Sequence, residues 1–327
     1  MATMIEPTQP GKREMLAAII QNIDKGRTPF ISRAKRAAKP TNTLMQWQVD
    51  NYPTPRTTGV LDGSDVSSFE YIGDREKIGN YITFLRYAPG VGELAQEVSD
   101  VAGLGVGQEM ANQITKSLKM CARSAEACCL MDGQDAQAQT GTTPYATRSV
   151  GKWCATTAGT VQPIPSDYLP AAGNQDNTAT TSITEDDIVG MMESAAGAAK
   201  SPLDFVGFFG ATARRAISKL QSYAPGSTIP LRRTQEMQGV LEQSVTKMAN
   251  DFGTLELVLD YFVNIDTAYG AVRGYILDME MFELAYNRMP RVRELPNLGG
   301  GPRAEVSMIF GLVCRNPLTA CYYNPTA

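Results

Sequence analysis

The 327-residue chain contains no histidine, and that gap removes every mechanism that relies on imidazole as general base, nucleophile partner or metal ligand. Its six cysteines, Cys121, Cys128, Cys129, Cys154, Cys314 and Cys321, include no CxxC pair, the spacing of a zinc knuckle or a dithiol centre. No run approaches the ~18 consecutive apolar residues of a membrane-spanning helix. The opening MATMIEP has no charged-then-apolar leader, so export is not expected and the thiols are expected to stay reduced and buried. No internal repeat recurs with a period of roughly 20 to 50 residues. What the chain does have is 43% apolar side chains against 20% charged, enough for one large or two modest cores and too much for a disordered polymer.

Charge is polarised along the sequence. The first forty residues carry Lys12, Arg13, Lys25, Arg27, Arg33, Lys35, Arg36 and Lys39 against Glu6, Glu14 and Asp24, a net of +5 in a chain whose total is -4. Residues 13–24 space their apolar side chains as a short helix, too short to stand alone. Residues 25–60, punctuated by Pro29, Pro40, Pro53 and Pro55, read as an extended arm without a core of its own, leaving Ile31, Leu44 and Trp47 unaccommodated. Ile82 and Phe84 are expected to be equally unsupported, within a β-prone run over 73–88 that reads as a long hairpin.

The clearest periodicity is Met110, Ile114, Leu118, Cys121, Ala125 and Cys129, which predicts a helix over about 107–131 stopping at Gly133. Gln113, Lys116, Lys119, Arg123 and Glu126 then fall on its solvated side. Residues 133–183, rich in Ala, Thr, Gly, Gln, Asn and Pro, read as a long loop in which only GKWCATT, around Trp153, looks ordered by its own composition. Thr184 and Asp187 form a capping box for a helix to about 198. A short apolar strand over 205–209 and a helix over 211–222 follow. The segments 240–250 and 254–262 read as an antiparallel hairpin turning at Gly253, and the last fifty residues as further strands around the flexible LGGG at 298–301.

Each candidate for chemistry has a plainer reading. Gly103, Gly105 and Gly107 precede a helix, but the polar ELAQEVSDVA before them is no buried strand, so a nucleotide loop is disfavoured. Cys121 and Cys128 share a helix face, yet two thiols without histidine do not complete a metal site. Asp186 with Asp187, and Glu280 with Glu283, read as capping and solvated edges rather than acid–base pairs. The basic arm suits a polyanion through counterion release, but among residues 11–39 only Phe30 is an aromatic that can stack on bases. No catalytic residue, cofactor or metal is therefore expected.

The residues themselves resemble a known family. RTPFISRAKRAAKPTNTLMQWQVDNY (27–52), REKIGNYITFLRYA (75–88), GQEMANQITKSLKMCARSAEACCLMDG (107–133) and ATRSVGKWCATT (146–157) are similar, in order, to segments of tailed-bacteriophage major capsid proteins with the Hong Kong 97-type fold. TEDDIVGMMESA (184–195), ANDFGTLELVLDYFV (249–263), YILDMEMFELAY (275–286) and EVSMIFGLVCRNPLTACYYN (305–324) continue the series. Cys121, Cys128 and Cys129 stand where the family usually has charged residues. The resemblance implies an α+β shell subunit. It has an N-terminal arm (1–58), an extended E-loop (59–92), a peripheral domain (93–183) with a spine helix over about 107–132, an axial domain (184–280) and terminal strands (281–327). It implies self-assembly as pentamers and hexamers around double-stranded DNA in a virion built in the host bacterial cytoplasm. Scaffolding, portal and decoration proteins are the partners it suggests, with no membrane and no small-molecule substrate. An encapsulin-type compartment of the same fold, and more remotely a nucleotide-binding enzyme, are the alternatives.

Replacing Cys121, Cys128 and Cys129 together by Ala or Ser is expected to cost only packing, roughly 1 kcal/mol per site. Elemental analysis of purified protein checks this: stoichiometric zinc in the parent and none in the variant would overturn it.

Overall fold

The structure, a computed structural model, describes residues 27–52, 54–66, 69, 75–98, 100–101, 105–106, 108–177, 183–220, 236–237, 240–241, 245–267 and 270–325. The helix expected over 13–24, and Gly103 and Gly107, lie outside them. The N-terminal elements are α1 (Pro29–Arg33), β1 (Lys35–Arg36), β2 (Leu44–Val49), β3 (Glu76–Tyr81) and β4 (Thr83–Tyr87). Then come α2 (Glu93–Val98), β5 (Asp100–Val101), β6 (Gly105–Val106), α3 (Glu109–Leu130), α4 (Val150–Trp153) and β7 (Gln175–Asp176). They are followed by α5 (Glu185–Ala199), β8 (Leu203–Phe209), α6 (Ala211–Ser218), β9 (Glu236–Met237), β10 (Val240–Leu241) and β11 (Lys247–Asn250). The last are β12 (Gly253–Leu259), β13 (Gly274–Asp278), β14 (Phe282–Leu295), β15 (Arg303–Cys314) and β16 (Cys321–Tyr323). The chain divides into two compact units: a smaller one containing Arg86–Cys121 and Pro290–Ser307, and a larger one containing Arg27–Leu85, Ala122–Met289 and Met308–Ala327.

The larger unit is organised on a six-stranded mixed sheet in the order β11-β12-β8-β13-β16-β7. Because side chains alternate along a strand, each central strand feeds two cores. Phe205 and Phe209 of β8, Leu255 and Leu257 of β12, Ile276 of β13 and Tyr323 of β16 point to one face, against Ile188, Met191, Met192 and Ala195 of α5 and Ile217 of α6. Phe208, Tyr275, Leu277 and Tyr322 point to the other, against Ala125, Cys129 and Leu130 of α3, with Phe30, Val150 and Trp153. A strand buried on both faces reads as a continuous apolar run, as LDFVGFF does.

Local signals fix the flanking helices. Thr184 Oγ1 accepts from the Asp187 N–H at 3.2 Å, and Asp187 returns the bond to the Thr184 N–H at 2.7 Å, closing the capping box of α5. Three acidic residues in its first turn favour the same end of the helix dipole. The helix ends at Lys200, in the left-handed region at φ 56°. The hairpin β11–β12 turns at Asp251 and Phe252. Gly253 follows at φ 138°, where a Cβ would lie 1.9 Å from the Leu203 carbonyl oxygen. The upstream residues expected in that hairpin are separate: β10 pairs with β9.

Several expectations are corrected. The run over 73–88 is no hairpin: β3 pairs with β2, in register Trp47 to Ile78, while β4 joins the four-stranded sheet β1-β14-β15-β4. With only Ile82 between them, the two strands have no room for a turn and diverge into different sheets. The described residues of 133–183 are poor in regular structure, as expected, and GKWCATT is interior at Trp153 and Cys154, in line with its composition, but the interior also extends to Ile164 and Tyr168. Its organising side chain is Arg148, whose Nε donates to Asp135 at 2.7 Å and whose Nη2 donates to the Val161 and Gln162 carbonyls at 3.0 and 2.9 Å. The guanidinium also lies over the Trp153 ring at 4.8 Å. Composition hid the rest of this core because the hydrogen-bond partners of the Arg148 guanidinium lie 13 or 14 residues away rather than in a local motif. On α3, Leu118 is half-buried and Glu126 fully buried, so the solvated side assigned from periodicity ends before Glu126.

Glycines on two strands seat Phe209. Gly274 faces it across the β8–β13 ladder, and a Cβ there would fall 2.1 Å from the ring. Gly274→Ala is expected to destabilise by about 1–3 kcal/mol through overpacking. Gly190→Ala on α5, with nothing within 4 Å of the added methyl, is expected to stabilise by about 0.5–1 kcal/mol. Chemical denaturation of both variants measures the pair, and equal effects would refute the assignment of Phe209 to this seat.

Candidate assembly interface

The arm is anchored before it is exposed. Phe30 lies fully buried in the larger unit's main core, edge-on to Phe208 at 5.5 Å and to Phe282 at 6.3 Å between ring centroids. Pro29 begins α1 with no N–H of its own, and the next two backbone donors find a side chain: Phe30 N–H donates to Glu126 Oε1 at 2.6 Å and Ile31 N–H to Oε2 at 2.8 Å. Glu126 is 0% exposed, and Asp260, 1% exposed, bears on it from the loop after β12. Burial first, and then the charge of Asp260, push the Glu126 carboxyl up to about 9, against the pull of the two backbone donors. Burial also raises Asp260, against the N–H of Phe262 and the hydrogen bond from Glu126.

From this anchor the chain follows its own subunit. β1 pairs in parallel with β14, Lys35 opposite Glu283. Arg33 pairs with Glu256, Lys35 with Glu280 at 3.5 Å, and Asn287 donates to the Pro40 carbonyl at 2.9 Å. Trp47 stands against Trp153 with centroids 5.9 Å apart. The expectation that Ile31 and Trp47 lack a local core is therefore corrected: Trp47 is within that core and Ile31 packs on it. Ile82 is half-buried, and Phe84, 47% exposed, lies beneath Arg288.

Beyond β2 the character changes. Tyr52 is 95% and Phe69 94% exposed, and Val60, Leu61 and Val66 between them are also open to solvent. None of residues 54–66 forms a helix or strand. A second exposed apolar group comprises Leu259 at the end of β12 with Tyr261 and Ile265 of the following loop, whose Phe262 and Val263 are buried. In the smaller unit Leu94 and Val98, four residues apart on α2, and Leu298 are exposed.

The residues singled out from the sequence are not brought together into a site. Asp187 caps α5, Glu280 and Glu283 pair with Lys35 and Arg315, and Gly105 lies in the two-stranded antiparallel β5–β6. Cys121 and Cys129 are buried, Cys128 is partly so, and burial raises all three thiols, Cys128 to about 11. Sequence reasoning missed Glu126, Asp260 and Arg148. The available signal for Glu126 was its place between Ala122 and Cys129, inside the apolar stripe rather than opposite it.

The chain's backbone is similar to those of solved phage capsid structures. It superposes on a chain of the "Cyanophage A-1(L) capsid asymmetric unit" with a TM-score of 0.68, at 11% identity and covering 97% of this chain and 98% of that one. A chain from "Mycobacterium phage Adephagia" gives 0.62 at 12% identity, covering 97% and 95%. A chain from the "Capsid structure of the Cyanophage P-SCSP1u" gives 0.58 at 11%, covering 98% and 96%. The shared fold is the Hong Kong 97-type α+β fold that the resemblance implied. No curated protein sequence matches the chain. The family model of the SU10 major capsid protein matches residues 3–326; with nearly the whole chain covered and an apolar surface open on a folded subunit, this protein belongs to that family of structural capsid proteins, which are not enzymes.

Proposed function

We propose that this chain assembles as pentamers and hexamers into the icosahedral shell that encloses phage double-stranded DNA, built in the host cytoplasm. In this reading residues 1–58 are the N-terminal arm, 59–92 the extended E-loop and 93–183 the peripheral domain with α3 as its spine. Residues 184–280 are the axial domain and 281–327 the strands that complete both. Scaffolding, portal and decoration proteins are the partners expected of such a shell. The encapsulin and enzyme alternatives are not favoured by the family match.

The observation that carries the proposal is the stretch from Tyr52 to Phe69, five large apolar side chains held in water by a chain that folds tightly on both sides of them. Fully burying one such side chain gains about 1.5–3 kcal/mol. A neighbouring subunit that covers the stretch therefore gains enough to offset ordering a loop with no structure of its own. Repeated once per subunit around closed symmetry, the same contact builds a shell.

Negative-stain microscopy of the purified protein, or of its virion, is expected to show closed particles. The double variant Leu61→Asp with Phe69→Asp is expected to keep the parent's thermal melt within about 1 kcal/mol, since neither side chain is buried in the subunit, and to sediment as free subunits. Particles formed by the variant as readily as by the parent would remove the loop from the assembly contact.

A further inference from the structure

Between the arm and α3 lies a buried pair of acids with a specific hydrogen-bond deficit. The oxygens of Glu126 accept from the Phe30 and Ile31 N–H groups. Asp260 Oδ1 accepts from the Phe262 N–H at 2.8 Å, and among the described residues no N–H or O–H donor reaches Oδ2. A carboxylate facing a carboxylate, both excluded from water, leaves one lone pair unpaired and two like charges unscreened. One proton repairs both defects. Carried by Glu126 and donated to Asp260, it would leave the Glu126 oxygens able to accept from α1 through their remaining lone pairs.

We propose that Glu126 and Asp260 form a single-proton latch that holds the Phe30 segment in the subunit core, and that loss of this proton releases the segment. The groups around the latch favour a single titrating event. Cys129 on α3 and Tyr286 on β14 are raised by burial and stay neutral across the relevant range. Arg36 acts on Tyr286, and Arg123 lies over the Phe262 ring at 5.4 Å. Neither arginine is among the influences on Glu126, which are burial, Asp260 and the two backbone donors. α1 itself contributes only backbone N–H groups to the pair.

The direction follows from linkage. With the segment seated, burial and Asp260 hold the Glu126 proton to about 9, the Phe30 and Ile31 N–H groups opposing them, and opening hydrates the carboxyl and lowers it towards the ordinary 4.5. Opening therefore releases a proton between these limits, so the latch is strongest below the lower value and weakens as pH rises towards the upper one. Above about 9 both states are ionised and the dependence ends. An acid-strengthened arm is the reverse of an exposed carboxylate ion pair, which acid would break.

Hydrogen exchange of the full-length protein, corrected for intrinsic rates, tests the proposal over residues 28–37, with 203–209 as the control. In the parent the opening constant of 28–37 is expected to rise at least tenfold between about pH 6 and pH 8.5 and to level off above pH 9, while the control is unchanged. In Asp260→Asn the like charge is gone and the amide Nδ2 can donate to Glu126, while burial remains, so the rise should be clearly smaller than the parent's while the segment stays seated. In Glu126→Gln no proton remains to lose, and opening should be raised at every pH with no slope. A flat profile in the parent, or a parent-like slope in Asp260→Asn, overturns the latch.

Discussion

The larger unit depends on how the last two turns of α3 are satisfied. A helix ends with carbonyl groups that have no intrahelical partner, and here the loop between β12 and β13 supplies the donor to the last of them. The Asn264 N–H donates to the Leu130 carbonyl at 2.9 Å, and the Tyr275 hydroxyl of β13 donates to Asn264 Oδ1, fixing that loop residue in place. Arg273 reaches Asp132 at 3.0 Å, and Asp266 accepts from the N–H of Gly133 at 3.3 Å. Asn264 adopts φ 47° to make its contact, a conformation that asparagine tolerates better than most residues. The loop over 260–267 thus ties helix and sheet together while contributing Asp260 to the arm. One short loop serves both connections, which makes the position of Phe30 depend on the seating of α3 on the sheet.

What was legible in the sequence is what local chemistry decides. The capping box at Thr184 and Asp187 and the apolar run of β8 carry their signals within a few residues and form where expected, while the turn expected at Gly253 falls at Asp251 and Phe252, with Gly253 opening β12. The long periodicity of α3 placed that helix within two residues at either end. The Hong Kong 97-type resemblance, resting on collinear segments rather than a motif, agrees with the fold and with the family.

Strand partners and buried polar groups were not legible, because both are set by segments distant in sequence. The β3 run looks like half of a hairpin by composition, yet its partner lies more than twenty residues upstream, in register with Trp47 and Met45. Glu126 reads as solvated because its nearest chain neighbours include Arg123. Its burial is decided by backbone donors of residues 30 and 31. Arg148 likewise sits in a stretch of small and polar residues, where only the fold brings Asp135 and two carbonyls within reach. Of the five residues expected to lack a local core, only Phe84 is exposed, and the exposed large apolar side chains ahead of β3 are Tyr52, Val60, Leu61, Val66 and Phe69 instead. Support extends through β2 to near Tyr52 and resumes at β3 and β4, both of which were expected to be unsupported and instead join sheets.

The basic character of the first forty residues can now be weighed against this anchoring. Arg33 and Lys35, two of the described cations, face Glu256 and Glu280 of the same chain, so part of the positive charge is spent within the subunit. Such partly exposed pairs contribute about 0–1 kcal/mol and are screened by salt, whereas burying Phe30 contributes about 1.5–3 kcal/mol. The arm is therefore held by a ring and a shared proton more than by its charges. Apolar anchoring is insensitive to ionic strength, and the anchor segment keeps its place whether or not the remaining basic residues meet a polyanion. Attachment to the subunit and any contact with nucleic acid are consequently separable properties of the same forty residues, carried by different side chains.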